Sequence, residues 1–327
     1  MDNLTHTAVG LFLSRAGLNR WTPRATPILL VAANLPDVDI LAALGGSLSY
    51  LHYHRHWTHS LLAMPLMALL AVGLVRVVLR TPLAWLRAFA VALVGVASHL
   101  LLDLTNTYGV RLLLPFSSEW LRLDIAGFPD PWIWTILLLG LLGPFLSRLV
   151  GSEIGSGGAR TRYYGRGGAI FALSLLTLDL GGRAVLHARA VNTLQSRLYW
   201  GMPPLRVAAC PTLTNPWRWN GIVETEGFYA RAPVNLLAEF DPAHALILDK
   251  PEPSPALDQA LATPAFREFL RFSQFPAWRV WPDEKIENGL RVEALDLRFG
   301  SPASPAFFAR ARLDGNGKVI ESSFHFR

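Results

Sequence analysis

The sequence predicts a mainly α-helical, polytopic membrane domain of about four to six apolar helices, followed by a small α+β soluble domain. Composition is the first sign: 51% of the 327 residues are apolar, 17% are charged, and the mean hydropathy is +0.30. Those values suit a chain in contact with lipid better than a soluble enzyme. The second is a set of long apolar segments in the first two hundred residues. The third is a change of texture near residue 205, where prolines, charges and alternating strand-like stretches begin. The expected domains are therefore 1–200 and 201–327.

Two apolar pieces come first, at 7–18 and 25–36. Each is too short to span alone, so they read as a helical hairpin, re-entrant or spanning with poor ends. Three clear segments follow: 59–79, "HSLLAMPLMALLAVGLVRVVL"; 82–103, "PLAWLRAFAVALVGVASHLLLD"; and 131–147, "PWIWTILLLGLLGPFLS". Each approaches the ~20 residues needed to cross ~30 Å of hydrocarbon. Trp132 and Trp134 at the head of the last read as interface anchors. A weaker segment from Gly167 carries Asp179, Arg183 and His187 on one helical stripe, an arrangement expected to bury an Asp–Arg pair.

The net charge is +6, mostly arginine, with only Lys250, Lys285 and Lys318 as lysines. A basic balance raises the question of nucleic acid, but the arginines fall in short groups between apolar segments, so no nucleic acid is expected. Arg15, Arg20 and Arg24, then Arg76, Arg80 and Arg87, then Arg148, Arg160, Arg162 and Arg166 alternate with arginine-poor connections. The positive-inside rule then places the connections between them, and the C-terminal domain, on the extracytoplasmic side. The Gly- and Arg-rich stretch 150–168 is a cytoplasmic orientation loop on this reading. The start, "MDNLTHTAVG", lacks the basic region of a cleavable signal peptide. The lone Cys210 excludes an intramolecular disulfide and a cysteine zinc site.

In the second domain, "DGNG" between two alternating runs is a hairpin signal, and "PALDQALATPAFREFLRFSQF" reads as one or two helices around Pro264. "TNPWRWNG", 214–221, is either a packed strand or a recognition edge.

Chemistry concentrates on the predicted outer face. Asp2 and His6 stand at i, i+4, as do His99 and Asp103; Asp37 and Asp39 close the second short piece; His52, His54, His56 and His59 precede the third helix; Asp124 and Asp130 follow in the next loop. An i, i+4 pair aims two ligands from one helix face toward one ion. Imidazole nitrogen and carboxylate oxygen are the usual donors to zinc or manganese at a hydrolytic site. Thr5 and Thr58 are expected as helix N-caps. Arg55, beside the ligands, is positioned to hold an anionic oxygen.

"MDNLTHTAVG", "NLPDVDIL", "HRHWTHS", "HLLLDLTNTYGVRLLLPF" and "DPWIW" occur in this order. Together they resemble the YdjM-like inner-membrane proteins, described as membrane-bound metal-dependent hydrolases and as LexA-binding. The resemblance covers residues 1 to about 150. It implies a helical membrane domain in the bacterial inner membrane and a centre similar to that of zinc phospholipase C. It assigns as metal ligands Asp2, His6, Asp37, Asp39, His54, His59, His99 and Asp103, with Asp130 of the "DP" pair joining them. His56 stands where the family has a small residue, which leaves it an extra ligand, a base beside the ligands or a bystander. Nothing in the residues corresponds to LexA binding.

The expected function is an integral membrane metal-dependent hydrolase holding one to three zinc or manganese ions, with Asp39, Arg55 and His56 as catalytic residues. It would cleave an ester or phosphoester of a small or lipid-derived substrate with a metal-activated water. The alternative is a non-catalytic membrane protein whose metal or ion-pair cluster serves stability or partner binding.

Overall fold

The computed structural model describes residues 1–153 and 165–326, which form two compact units. The first comprises Met1–Asp39, Arg55–Val185 and Leu213–Asn215; the second comprises Ile40–His54, Leu186–Thr212 and Pro216–Arg327. Most of the predicted orientation loop at 150–168 lies outside the described residues. The helices are α1 (Asn3–Ala16), α2 (Ala25–Ala32), α3 (Ser47–Tyr53), α4 (Met64–Leu79), α5 (Trp85–Leu104), α6 (Pro131–Glu153), α7 (Arg166–Gln195), α8 (Pro255–Leu261) and α9 (Pro264–Phe272).

Three helical stretches among the described residues are long and apolar enough to cross a membrane: Ala25–Gly45, Trp85–Leu104 and Arg166–Gln195. A fourth counts if Ser47–His59 and Met64–Leu79 form one broken span. The piece at 25–36 is therefore not the short stub the sequence suggests. Where α2 ends, the chain tightens into a 3-10 helix over Leu35–Gly45, and the two together reach 21 residues. Pro36 has no N–H to continue the α-helical ladder, and the Asn34 side chain donates to the Leu30 carbonyl at 2.8 Å. The segment at 59–79 is corrected too: residues 57–59 make a 3-10 turn and the long helix starts only at Met64. The third clear segment is not among these spans: its apolar part, Pro131–Leu146, is shorter, although the helix itself runs to Glu153.

Asp2 caps α1, accepting from the Thr5 amide and the Thr5 hydroxyl, each at 2.8 Å. Thr5 is thus the cap's donor and not the cap itself. Helices α2, α4 and α5 share a core of Ile28, Leu29, Ala68, Val72, Val91 and Val96. Phe12 of α1 packs with Ile133, Leu137, Ala172 and Leu176 of α6 and α7. Small residues bring the helices close, as in lipid, where tight van der Waals contact replaces the hydrophobic drive. A Cβ on Gly95 would sit 2.8 Å from Ala32 Cβ, and one on Gly140 would sit 2.5 Å from Ala172 Cβ. Leu66, Leu70 and Val77 of α4 and Leu138 and Leu142 of α6 point away from these cores and remain exposed, as lipid-facing positions do.

The second unit holds two four-stranded antiparallel sheets. Strands β1 (Arg206–Pro211), β2 (Arg218–Glu224), β3 (Phe228–Asn235) and β4 (Leu246–Asp249) pair in chain order. Strands β5 (Pro276–Pro282), β6 (Leu290–Asp296), β9 (Phe307–Leu313) and β10 (Val319–Phe326) pair in the order β10-β9-β6-β5, with β7 (Gly300–Ser301) and β8 (Ser304–Pro305) as a small hairpin between β6 and β9. The "DGNG" turn joins β9 to β10: Asp314 accepts from the amides of Asn316 and Lys318, each at 2.9 Å, and Gly317 takes a φ of 78°. Pro264 opens α9 behind its cap Thr263, and Phe266, Phe269 and Phe272 bury that helix on the second sheet. The two sheets meet through Ala208, Cys210 and Ile222 against Ala277, Leu295 and Phe308. Trp219 is buried in β2, between β1 and β3, so "TNPWRWNG" leads into a packed strand.

Helix α3 also belongs to this unit. The Ser47 hydroxyl donates to the Phe324 carbonyl at 2.9 Å, Tyr50 stacks on Phe326, and His52 Nδ1 lies 2.9 Å from Glu268 Oε2.

Two outcomes follow. Gly95→Val is expected to destabilise the helical unit by about 1–3 kcal/mol through overpacking. Gly73→Ala, with open space around its position, is expected to be neutral or to stabilise by up to ~1 kcal/mol; thermal unfolding in detergent micelles compares them. Arg291 and Arg312 hold the Asp283 carboxyl below the usual carboxylate range. Its lowered folded pKa means that this clamp contributes fully above an unfolded value of ~3.9 and is lost as pH falls below it. Asp283→Asn should flatten that acid limb in a pH series of unfolding curves.

Candidate metal centre

Four buried side chains of the first unit converge: Asp37 from the 3-10 helix after α2, His59 from the turn before α4, and His99 and Asp103 from the last turns of α5. Their ligand atoms all lie within 4.8 Å of one another. His59 Nε2 is 3.1 Å from His99 Nε2, 3.5 Å from Asp37 Oδ1 and 3.3 Å from Asp103 Oδ2. His99 Nε2 is 3.6 Å from Asp37 Oδ1 and 3.4 Å from Asp103 Oδ2.

Tautomer decides what these distances mean. His99 Nδ1 is 2.8 Å from the Ala33 carbonyl oxygen, which can only accept, so Nδ1 carries the proton. His59 Nδ1 faces Asp39 Oδ2 at 3.1 Å, and Thr58 donates its hydroxyl to that same oxygen at 2.8 Å. His59 therefore also carries its proton on Nδ1. In the neutral rings both Nε2 atoms are lone pairs, and they face each other and two carboxylate oxygens. Four acceptors pointed at one spot require a positive charge between them. Tetrahedral zinc with bonds of about 2.0–2.1 Å sets its ligand atoms about 3.3–3.4 Å apart. The five separations given above, 3.1–3.6 Å, bracket that edge. Asp103 Oδ2 is buried and makes no hydrogen bond despite its two imidazole neighbours. The donor set therefore fits a divalent cation.

A second layer holds the ligands. The Asp39 carboxylate orients His59 and accepts from the Arg55 amide at 2.8 Å. Arg55 is buried and left-handed, with φ of 55°, a conformation uncommon outside glycine. Its guanidinium donates to Asp103 Oδ1, Asn106 Oδ1 and the Gly109 carbonyl, each at 3.0 Å. Asn106 Oδ1 also accepts from the Tyr108 and Gly109 amides, which shapes the turn that receives the arginine. His6 stacks on His99 with ring centroids 3.8 Å apart, and its Nε2 is 3.4 Å from Asp103 Oδ1. Both nitrogens of His6 are buried, and neither makes a hydrogen bond. The Met1 backbone nitrogen also contacts Asp103 Oδ1.

Asp2, Asp130, His56 and Asp124 are placed elsewhere, and His54 does not belong to the four-residue cluster. Asp2 is occupied as the α1 cap and also accepts from Trp134 Nε1 at 3.1 Å. Asp130 caps α6 through the Trp132 and Ile133 amides and takes both terminal nitrogens of Arg183, at 2.5 and 3.0 Å. Arg183 also reaches Asp179 at 2.9 Å, so the intramembrane pair expected from the sequence is a triad. His54 belongs to the second unit, its ring stacked on Tyr50. His56 lies edge-on to Trp57, outside the four-residue cluster. Asp124 contacts Arg122. The sequence reading missed Asn106, Gly109 and the Ala33 carbonyl. The first two lie inside "DLTNTYG", where an Asn three residues before a Gly is itself a turn signal.

A family model, YdjM inner membrane protein, matches residues 1–190. The chain belongs to this family. A second model, the YfhP C-terminal alpha/beta plait domain, matches residues 255–327, the region of α8, α9 and the second sheet. Among curated proteins, YfhP of Bacillus subtilis (strain 168) is 24% identical over 340 residues, covering 99% of this chain and 94% of its own length. No solved structure matches. Four of the five quoted motif stretches contribute to the centre or its second layer. The fifth, "DPWIW", supplies a helix cap.

Asp39→Asn is expected to weaken divalent-metal affinity about 10–100-fold by releasing His59, as loss of an outer partner of a ligating histidine does. His56→Ala should leave it unchanged. Competition with a chromogenic chelator measures both.

Proposed function

We propose that the chain is a membrane-embedded, metal-dependent hydrolase that cleaves a phosphoester of a small or lipid-derived substrate. The observation that carries this reading is the convergence of the His59 and His99 lone pairs with Asp37 and Asp103. Two imidazoles and two carboxylates at tetrahedral spacing favour zinc. A divalent ion there supplies Lewis acidity toward the ester and lowers the pKa of water toward ~7.

The chain's own residues divide the remaining work. Asp39 and the Ala33 carbonyl hold the imidazoles in the tautomer that binds metal. Arg55 fixes Asp103 through Oδ1 and leaves Oδ2 for the ion, so it acts as a positioning residue and not as a clamp on substrate. His6, buried beside Asp103 without a hydrogen bond, is the group placed to give or take a proton. The alternation of arginines supports an extracytoplasmic centre.

One observation favours a second reading. Four protein ligands at tetrahedral spacing, with side chains 0–7% exposed, also describe a closed, non-catalytic metal centre.

The test joins metal analysis, X-ray absorption and turnover on full-length protein in detergent. The hydrolase reading expects one zinc per chain, a water among its ligands, and cleavage of phosphoesters that His6→Ala lowers while the metal is retained. A zinc bound by four protein donors alone, with no turnover across a phosphoester panel, favours the structural reading. Metal-free protein that turns over as fast as the loaded form ends the proposal.

A further inference from the structure

Helix α4 has 16 residues. At 1.5 Å per residue they cover about 24 Å, some 6 Å less than the ~30 Å of hydrocarbon. Helix α5 has 20 residues and covers the full depth. Only residues 80–84 join the two helices, which pack side by side through Ala68, Val72, Val91 and Val96, so they run antiparallel from a common end. The shortfall of α4 therefore falls at its head, beside His99 and Asp103 in the last turns of α5.

A short span leaves apolar depth to be filled by whatever flanks it. Here the flank is apolar. Leu61 and Leu62, just before α4, are exposed, and a hairpin over residues 110–121 adds Leu113 and Phe116, the latter 87% exposed. The Leu61 amide donates to the Leu112 carbonyl at 2.9 Å, which fixes the tip of the hairpin beside the head of α4. Its base is fixed to the end of α5: the Leu123 amide donates to the Leu104 carbonyl at 2.8 Å, and the Ile125 amide to the Thr105 carbonyl at 2.9 Å.

Irregular chain is kept out of lipid by unpaired backbone groups. This tip pairs its own. Val110 and Leu121 exchange both backbone bonds, at 2.9 and 3.0 Å, and the Phe116 and Ser117 amides both reach the Leu113 carbonyl. Pro115 has no N–H to satisfy. Ser118 and Glu119 on the returning arm are exposed, which limits the depth to the boundary between acyl chains and headgroups. The head of α6 repeats the pattern, with a short apolar part, Pro131–Leu146, preceded by the exposed Phe128.

We propose that hairpin 110–121 is a membrane-inserted element: Leu113 and Phe116, with Leu61 and Leu62, sit among the acyl chains of a phospholipid bilayer at its glycerol boundary and complete the apolar depth that α4 lacks. All of these residues belong to the first unit, and the insertion stands whether or not the metal centre is catalytic.

The test uses full-length protein in phosphatidylcholine nanodiscs, with a fluorescent label on Phe116→Cys. The parent, whose lone Cys210 is buried, gives the background, and Leu70→Cys on the exposed flank of α4 marks the deeper hydrocarbon. Replacing so exposed a side chain as Phe116 should leave the unfolding temperature unchanged. The discs carry a lipid nitroxide at either a shallow or a deep acyl carbon. The label at 116 should be quenched about twofold more by the shallow nitroxide than by the deep one, and at 70 the order should reverse. A label at 116 that neither nitroxide quenches overturns the proposal. If aqueous iodide then quenches it, the hairpin lies in water; if iodide does not, the hairpin is covered by protein, such as a second copy of the chain.

Discussion

Everything around the candidate metal centre follows from an electrostatic requirement. Asp37, Asp103 and the Nε2 lone pairs of His59 and His99 meet at separations of 3.1–3.6 Å, all acceptors, all shielded from water. Unpaired, such a group is costly, because buried acceptors lose their hydration and gain nothing in return. A cation converts the same arrangement into four favourable contacts. The outer layer suits those terms. The Ala33 carbonyl and Asp39 take the imidazole protons, and Arg55 neutralises the far oxygen of Asp103.

The helices serve this requirement by bringing sequence-distant positions together. Asp37 comes just after the α2 spiral tightens, His59 just before α4 begins, and His99 with Asp103 from the last turns of α5. Ligands thus sit where regular helix gives way to something else, which frees backbone groups such as the Ala33 carbonyl to bond side chains. Close helix contact through Gly95 against Ala32 keeps α5 against the chain that carries Asp37.

Much of this was legible in the sequence, and the reasons differ by residue. The His99–Asp103 pair shows itself through i, i+4 spacing on an otherwise apolar helix, and the apolar segments through their length. Asp2 and Asp130 read as ligands in the sequence because a carboxylate at a helix start has two uses; in the fold Thr5, and the amides after Asp130, already occupy them. Arg55 looked free to meet substrate because nothing local reveals that Asn106 and Gly109, some fifty residues on, would claim its guanidinium. In the C-terminal region the "DGNG" turn and Pro264 are strong local signals. The stacking of two sheets is a long-range choice that no single stretch encodes.

The family match ends at residue 190, yet the chain does not divide cleanly there. Residues Ile40–His54 leave the helical unit between two ligand-bearing stretches and find their partners, Phe324, Phe326 and Glu268, near the other end of the polypeptide. During synthesis this excursion must wait, with Leu51 uncovered, until strand β10 has left the ribosome. A chain stopped early would thus lack more than a distal module: it would carry an unfinished loop between the stretches that bring Asp37 and His59 to the cluster.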